Sequence, residues 1–267
     1  MRACWHRLFC ARLPPAPHVS IVIPVYNEQA ILREVVSELV SELRAQPQAF
    51  EIILSENGSR DRTVALAQEL AGEYPEVRVL SSPEPNYGRA LRSGILAARG
   101  DIVLCEEIDW CDLDFHRRAL GLIESDAAEM VIGSKLLGES RDERPWLRHA
   151  ASLFYTRLLH VLFDFQCSDT HGLKAMRRER LLPVVRACRV EKDVFASELV
   201  IRAGRDGVAL REIPVRVHEK RPPSINLLRR VPNVLSNLSR LFWAIHLEAG
   251  AAVTSRKADA TGTGEGT

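Results

Sequence analysis

The sequence predicts an α/β protein built on an open, mainly parallel β-sheet with helices on both faces. In the first half of the chain, short apolar runs rich in β-formers alternate with segments of helical periodicity. These runs are apolar on both faces, as expected of parallel strands covered by helices. No internal repeat or clear domain break interrupts the pattern, and 267 residues are enough for one large domain with a substantial core.

Seven short runs are predicted to be strands, four in the first half of the chain and three in the second. They cover residues 19–24, 51–55, 77–80, 101–105, 130–134, 172–176 and 208–217. Right-handed crossovers between parallel strands place the carboxyl ends of the strands on one edge of the sheet. Ligands of open α/β sheets bind at that edge.

Helices are predicted between the strands. The strongest pattern covers residues 29–45, where apolar residues recur three or four positions apart and form one stripe. The members of this stripe are Ile31, Leu32, Val35, Val36, Leu39, Val40 and Leu43. Further helices are predicted over residues 62–73, 89–98, 146–163, 193–204 and 233–247.

Composition and segment properties exclude several classes of protein. The formal net charge of +1 does not indicate a nucleic-acid binder. Six scattered cysteines without a C-x-x-C pair argue against a zinc site or a disulfide framework and fit a reducing cytosol. No apolar run approaches the roughly 18–20 residues of a membrane-spanning helix. We expect a poorly ordered basic leader over residues 1–17, one domain over 18–226, an amphipathic helix over 227–248 and a disordered tail over 249–267. That helix either docks on the sheet or contacts the inner face of a membrane from a cytoplasmic location.

Polar and acidic residues follow three of the predicted strands. The first strand ends in PVYNE, the second in SENGS and the fourth in CEEID. Glu107 and Asp109 are separated by one residue and can reach one divalent ion, and Mg²⁺ or Mn²⁺ suits such hard oxygen ligands. The chain has neither G-x-G-x-x-G after its first strand nor G-x-x-x-x-G-K-[ST] anywhere. Bound phosphates would therefore be neutralised by a metal or by basic side chains.

Several motifs in order resemble the family 2 glycosyltransferases, which have the GT-A fold, and in particular the dolichol-phosphate and polyprenyl-phosphate mannosyltransferase branch. The resemblance covers about residues 18–226. The motifs are VSIVIPVYNE, EIILSENGSRDRT, NYGRALRSGILAARGDIV, EID, VIGSK, WLRHAAS, DTHGLKAM and EIPVRVHEKR. The resemblance implies a Rossmann-like nucleotide-binding half joined to an acceptor half.

The resemblance also implies roles for individual residues on the donor side. Glu107 and Asp109 match the metal-binding D-x-D of the family. The positions matching the family's nucleotide contacts are Pro24, Tyr26 and Glu28 in the first loop, Glu56 and Asn57 for the base, and Arg221 for the diphosphate. The implied donor is a GDP- or UDP-sugar, with mannose or glucose as the sugar.

On the acceptor side, the resemblance implies that Lys135, Arg148 and Ser152 hold the phosphate of a polyprenyl lipid. Independently of the resemblance, Arg148 and Ser152 are one helical turn apart and could share one anion. A phosphate monoester is ionised near neutral pH, so an inverting transfer to it needs little help from a general base.

Departures from the family pattern keep two alternatives open. Glu107 replaces an Asp, Asn57 replaces a carboxylate, and Cys111 stands where a metal-binding Gln is common. One alternative is transfer to a hydroxyl of a glycan or glycolipid, with Asp169 or His171 as the base. The other is an inactive homologue that binds nucleotides as a scaffold or regulator.

Overall fold

The computed structural model describes residues 16–137, 141–142, 146–165, 167–191, 194–217 and 236–246; the side chains at 141–142, 146–149, 151–152 and 216–217 are not described. The predicted tail lies outside these ranges, as do residues 1–15 of the predicted leader. Within the described residues, no helix combines the length and the hydropathy that crossing a bilayer requires.

The strands follow the predicted order, but the short strand Arg141–Asp142 was not predicted and the last predicted strand is divided in two. They are β1 (Val19–Val25), β2 (Phe50–Asn57), β3 (Val77–Ser82), β4 (Ile102–Cys105), β5 (Met130–Ser134), β6 (Arg141–Asp142), β7 (Lys174–Arg177), β8 (Leu210–Pro214) and β9 (Arg216–Val217). The single strand predicted over 208–217 is interrupted at Val215. Its first part joins the main sheet, and its second part pairs with β6 in a separate two-stranded sheet.

The helices include two that the sequence analysis did not predict, α4 and α6. The helices are α1 (Leu32–Arg44), α2 (Thr63–Glu73), α3 (Tyr87–Ala97), α4 (Leu113–Glu124), α5 (Trp146–Phe163), α6 (Arg178–Ala187) and α7 (Phe195–Arg205). Residues 236–246, inside the predicted 233–247 helix, are also helical. The α4 pattern was obscured because its buried face includes His116, and α6 contains Pro183 within a polar segment.

The main sheet has seven strands in the order β3-β2-β1-β4-β7-β5-β8. Only β7 runs antiparallel to its neighbours, β4 and β5, so the prediction of an open, mainly parallel sheet is confirmed. One hydrophobic layer lies between the sheet and α3, α5, α6, α7 and residues 236–246. The other layer lies beneath α1, α2 and α4.

The topology places the carboxyl ends of six strands and the start of β7 on one edge. Val25, Asn57, Cys105 and Ser134 end their strands there, and Lys174 begins β7 directly opposite Cys105. This edge therefore brings together the polar segments that follow β1, β2 and β4, as the crossover rule predicts.

Candidate functional site

The acids after β4 separate into two environments, because successive side chains of an extended chain point to opposite faces. Glu106 points into the layer beneath α1 and α4, where it is buried and its Oε1 lies 2.5 Å from His116 Nε2. The same oxygen accepts a hydrogen bond from the Asp112 N–H, and Asp112 is the N-cap of α4. Burial lowers the pKa of His116, but the Glu106 carboxylate outweighs that effect and the pKa lies above its ordinary value. Glu106 is therefore a structural residue.

Glu107 faces the opposite layer and contacts the start of α3. Its Oε1 accepts a hydrogen bond of 2.5 Å from the Tyr87 hydroxyl. Burial raises the pKa of Glu107 to about 7; the Tyr87 hydrogen bond opposes that rise, and the charge of Asp109 adds to it. Burial and the Glu107 charge raise the pKa of Tyr87 well above its ordinary value, so the phenol keeps its proton and acts as the donor. Burial is thus the main effect that disfavours the charged form of Glu107, and a cation beside the carboxylate would oppose it.

The residues at this strand end fit a divalent ion in part. Within the described part of the chain, no three His, Cys, Asp or Glu side chains are grouped so that they could hold a metal by themselves. Two carboxylates suit Mg²⁺ or Mn²⁺ when a diphosphate and water supply the other oxygens, which is how Mg²⁺ is usually held beside phosphates. Cys111 offers a soft ligand; its Sγ lies 3.7 Å from the Glu107 carbonyl oxygen.

The loops after β1 and β2 are joined by hydrogen bonds and form one surface at the sheet edge. Asn27, at φ 55, accepts from the Arg60 N–H and donates its own N–H to Ser59. The Glu28 N–H donates to Thr63 Oγ1 at 2.7 Å. The structure therefore places the SENGSRDRT segment against the first loop. Of the residues expected to contact the nucleotide, Pro24 lies within β1, and Tyr26 and Glu28 lie in this first loop, where Tyr26 is 40% exposed.

Glu56 and Asn57 already have partners within the protein. The two Glu56 carboxylate oxygens accept from the Ser59 N–H and the Ser81 hydroxyl, each at 2.5 Å. Asn57 Oδ1 accepts from the Asn86 N–H. Both side chains thus stabilise the loops at the end of β2. Because Asn57 Oδ1 already accepts a hydrogen bond, the amide NH₂ is the group of Asn57 that could contact a nucleotide base.

A glycine permits the contact between these loops. Gly58 has φ +70, and a Cβ there would lie 2.8 Å from the Glu84 carbonyl carbon. Only glycine combines that backbone conformation with so close an approach. The loop after β2 and the loop before α3 therefore pack directly against each other.

A second set of charges lies at the ends of β5 and β8. Lys135 Nζ is 3.6 Å from Asp169 Oδ2, and Asp169 also accepts from the His171 N–H. Glu212 accepts from the Ser168 hydroxyl and from the N–H groups of Ser168 and Asp169. Burial raises the pKa of Asp169, but Lys135 and the His171 N–H outweigh it and hold the pKa below its ordinary value. Lys135, which was predicted to contact the acceptor phosphate, thus lies beside this carboxylate directly after β5; its role stays a prediction.

Lys174 lies between the two sets of charges. Its ammonium is buried and donates to the Gly172 carbonyl oxygen at 2.7 Å. Burial lowers the pKa of Lys174, against the attraction of Cys105, Asp169 and Glu107. One ammonium therefore interacts electrostatically with both Glu107 and Asp169.

Three of the predicted site residues cannot be placed. Arg148 and Ser152 belong to α5, but their side chains are outside the described part of the structure. Arg221 lies outside the described residues altogether. Their roles remain predictions.

A cavity of about 700 Å³ lies on the α1 side of the segment after β4. Asp109 borders it, together with acids of α1 and the α4 N-terminus, Glu38, Glu42 and Asp112. None of the five residues expected in the first and second nucleotide loops lines it. Because its lining is acidic, a diphosphate would be repelled there unless a cation accompanied it.

The sequence analysis missed four residues of this site, Tyr87, His116, Lys174 and Glu212. Tyr87 follows an N-cap asparagine, a signal that would have moved the predicted helix start from residue 89 to 87. A lysine inside an apolar strand motif, as in GLKAM, was a signal that a buried charge partner was present. His116 and Glu212 carry no local signal.

Comparison with known proteins agrees with this geometry. The model of the family named glycosyl transferase family 2 matches residues 20–183. Glycosyltransferase AglD of Haloferax volcanii is 28% identical over 236 residues, which are 85% of this chain and 37% of that protein. A dolichyl-phosphate beta-glucosyltransferase of Trichomonas vaginalis is 26% identical, over 77% of this chain and 67% of its own length. An undecaprenyl-phosphate 4-deoxy-4-formamido-L-arabinose transferase of Pseudomonas paraeruginosa is 31% identical, over 76% and 58%. The chain thus spans between about a third and two thirds of the length of these relatives.

A solved structure gives the fold. Glucosyl-3-phosphoglycerate synthase of Mycobacterium tuberculosis, crystallised with Mn²⁺, UDP and glucosyl-3-phosphoglycerate, superposes with a TM-score of 0.62 at 20% identity. The match covers 84% of this chain and 80% of that one. The predicted GT-A fold is confirmed.

Proposed function

The chain belongs to glycosyl transferase family 2, and from that premise we propose that it is an inverting hexosyltransferase that moves a sugar from a nucleotide sugar onto a polyprenyl phosphate. Relatives named as dolichyl-phosphate and undecaprenyl-phosphate transferases support this acceptor class. Glucose is the first sugar to test, because the Trichomonas relative is named a glucosyltransferase, and mannose is the second.

In the proposed reaction, an oxygen of the acceptor phosphate forms a bond to the anomeric carbon as the bond from that carbon to the donor diphosphate breaks. The electron pair leaves with the nucleoside diphosphate, so no proton has to move. Glu107 and Asp109 would hold Mg²⁺ or Mn²⁺, which when bound would stabilise the charge of the leaving diphosphate. Lys135, and by prediction Arg148 and Ser152, would orient the attacking phosphate.

The observation that carries the lipid acceptor is the exposed face of α5. Phe154 and Val161 are seven positions apart and therefore share one helical face, where they are 72% and 79% exposed; Leu153, next to Phe154, is 48% exposed. This is the helix that contains the predicted phosphate-binding positions Arg148 and Ser152. A helix that combines phosphate-binding positions with exposed apolar side chains suits a phosphate attached to a hydrocarbon chain.

Residues 236–246, which pack against α5, also carry exposed groups that support peripheral contact with a membrane. The rings of Phe163 and Phe242 lie 6.3 Å apart and join α5 to residues 236–246, where Trp243 is 60% exposed. The side chains of Arg157 and Arg240 are exposed nearby along the two helices. Apolar and aromatic side chains beside arginines favour the interface of an anionic bilayer.

The alternative acceptor, a sugar hydroxyl, would require a base. The Lys135 ammonium lies 3.6 Å from Asp169, and the pKa of Asp169 is held below its ordinary value. A general base works best with a pKa near the operating pH. The His171 ring packs edge-on against Tyr155, and its Nδ1 lies 3.0 Å from the Thr170 hydroxyl. These contacts favour structural roles for both residues.

The test is sugar transfer to a short polyprenyl phosphate from UDP-glucose or GDP-mannose, with Mg²⁺ or Mn²⁺. Asp109→Ala and Arg148→Ala should each lower the rate of product formation by at least about 100-fold. Two matched controls should retain it: Asp101→Ala, beside the opposite end of β4, and Arg33→Ala, on the outer surface of α1.

Each other result has a defined meaning. Donor hydrolysis without lipid product would contradict the proposed acceptor. Transfer to a glycan hydroxyl that Asp169→Asn abolishes would establish the alternative. A protein that shows no sugar transfer and no metal-dependent nucleotide binding would favour the inactive homologue.

A further inference from the structure

Of the two predicted metal ligands, Glu107 is the unusual one, because it stands where the resembled family has an aspartate. A glutamate has one more rotatable bond than an aspartate, so fixing it on a cation costs more side-chain entropy. An additional contact that held the carboxylate in place before the cation arrived would offset that cost.

Such a contact is present. The Tyr87 hydroxyl donates to Glu107 Oε1 at 2.5 Å, across 20 positions of sequence. Tyr87 itself is the first residue of α3, and its ring packs against the apolar layer beneath that helix. The carboxylate is therefore attached to a rigid element.

The backbone before Tyr87 is also fixed. Asn86 caps α3 by accepting the Arg89 N–H at 3.0 Å, and the Asn86 N–H donates to Asn57 Oδ1. Asn86 Nδ2 donates to Glu191 at 2.8 Å. Tyr87 therefore has little freedom to follow Glu107 if the carboxylate moves.

We propose that Tyr87 is a positioning residue that orients the Glu107 carboxylate for a divalent cation through its hydrogen bond to Oε1. This rests on the proposed function, since it assumes that Glu107 is a metal ligand. Groups that orient a metal ligand by hydrogen bonding typically contribute about 10- to 100-fold in metal affinity or activity.

The pairing is specific to the length of glutamate. Shortening Glu107 to aspartate withdraws the carboxylate by about one carbon–carbon bond, roughly 1.5 Å. A hydrogen bond of 2.5 Å would not survive that change with Tyr87 held by the helix. The two residues should therefore act as one unit.

The experiment measures Mn²⁺ binding from the EPR signal of free Mn²⁺, with saturating UDP and again with GDP, and needs no sugar transfer. Tyr87→Phe should weaken Mn²⁺ binding about tenfold or more. Tyr74→Phe is the matched control, because its hydroxyl donates to Ser37 at 3.1 Å on the other side of the sheet, and it should bind as the wild type does.

A double-variant cycle separates a positioning role from a general loss of order. Glu107→Asp should itself weaken binding, and adding Tyr87→Phe should change it by less than about twofold, because the shared interaction is already lost. Multiplicative losses would overturn the proposal, as would a Tyr87→Phe protein that binds Mn²⁺ like the wild type; both leave the proposed function standing. A wild-type protein that binds no Mn²⁺ with either nucleotide would overturn both.

Discussion

Replacing Glu106 should lower the stability of the fold strongly, whereas replacing Asp109, three residues further on, should leave the stability almost unchanged. Glu106 is buried against His116, whose Nδ1 has no hydrogen-bond partner among the described residues. Glu106→Leu would leave the imidazole buried without its counter-charge. Removing one partner of a buried ion pair costs about 3–5 kcal/mol, whereas Asp109→Asn at a partly exposed position should stay within about 0.5 kcal/mol.

The double variant Glu106→Leu with His116→Leu makes the test sharper. Replacing both members of a buried pair by apolar residues of similar volume is often neutral or stabilising, so the double variant should recover most of the stability that each single variant loses. In a chain of this size, 3–5 kcal/mol corresponds to a fall in Tm of roughly 6–20 °C.

The assay is equilibrium urea unfolding, followed by far-ultraviolet circular dichroism and by tryptophan fluorescence. Coincident transitions from the two probes would justify a two-state free energy of unfolding. A Glu106→Leu penalty below about 1 kcal/mol, or one equal to that of Asp109→Asn, would refute the division of the acids into structural and ligand-binding groups.

The pH dependence of this pair has a definite sign. The pKa of His116 is raised in the folded protein above its ordinary 6.5. The charge attraction therefore stabilises the fold fully below pH 6.5 and is lost as the pH rises through the raised pKa. Wild-type stability should fall through that window relative to the double variant. Parallel pH profiles would contradict the assignment.

Three further predictions concern the rest of the sheet edge and its opposite end. Burial raises the pKa of Glu51, but hydrogen bonds from Arg78, Ser20 and Arg99 outweigh it and lower the pKa. Because the two arginines are partly solvated, Glu51→Gln should lower the stability by only about 2 kcal/mol above pH 4.5. That difference should shrink as the pH falls through the lowered pKa, and a difference in urea midpoint that grew as the pH fell below 4.5 would contradict it. Gly58→Ala should lower the stability by about 1–3 kcal/mol in thermal unfolding and weaken UDP binding in a titration. Its control is Gly72→Ala in α2, where a Cβ would meet open space; that variant should be as stable as the wild type or more stable, and should bind UDP normally. Lys174→Met should raise KM for both donor and acceptor in steady-state kinetics, whereas Lys135→Met should raise mainly the acceptor KM; an unchanged donor KM in Lys174→Met would contradict the shared role.

Much of the fold follows from local pattern. The apolar runs and the handedness of crossovers were sufficient to predict that the segments after β1, β2 and β4 meet at one edge. Periodicity does not report strand direction, however, so the antiparallel placement of β7 could not be predicted. The α4 helix was missed because its buried stripe contains His116, a polar residue that interrupts the apolar periodicity.

The candidate site was predictable only where side chains belong to a motif. Glu107 and Asp109 were predicted to be metal ligands because they follow a buried strand. The different environments of Glu106 and Glu107 depend on which face of the sheet each side chain reaches. The contact of Glu107 with Tyr87 joins two motifs that are 20 residues apart, and no spacing rule predicts it. Arg148, Ser152 and Arg221 remain predictions from the resemblance.

The reversed direction of β7 has a thermodynamic consequence for substrate binding. Because β7 begins at the edge where its neighbours end, Lys174 lies between β4 and β5 and interacts with Glu107 on one side and Asp169 on the other. A ligand that brings negative charge to one side attracts the ammonium towards that side and weakens its attraction for the other. Under the proposed function the donor binds on the Glu107 side and the acceptor on the Asp169 side, so the two binding equilibria would be linked, and by reciprocity each ligand would alter the affinity for the other by the same factor.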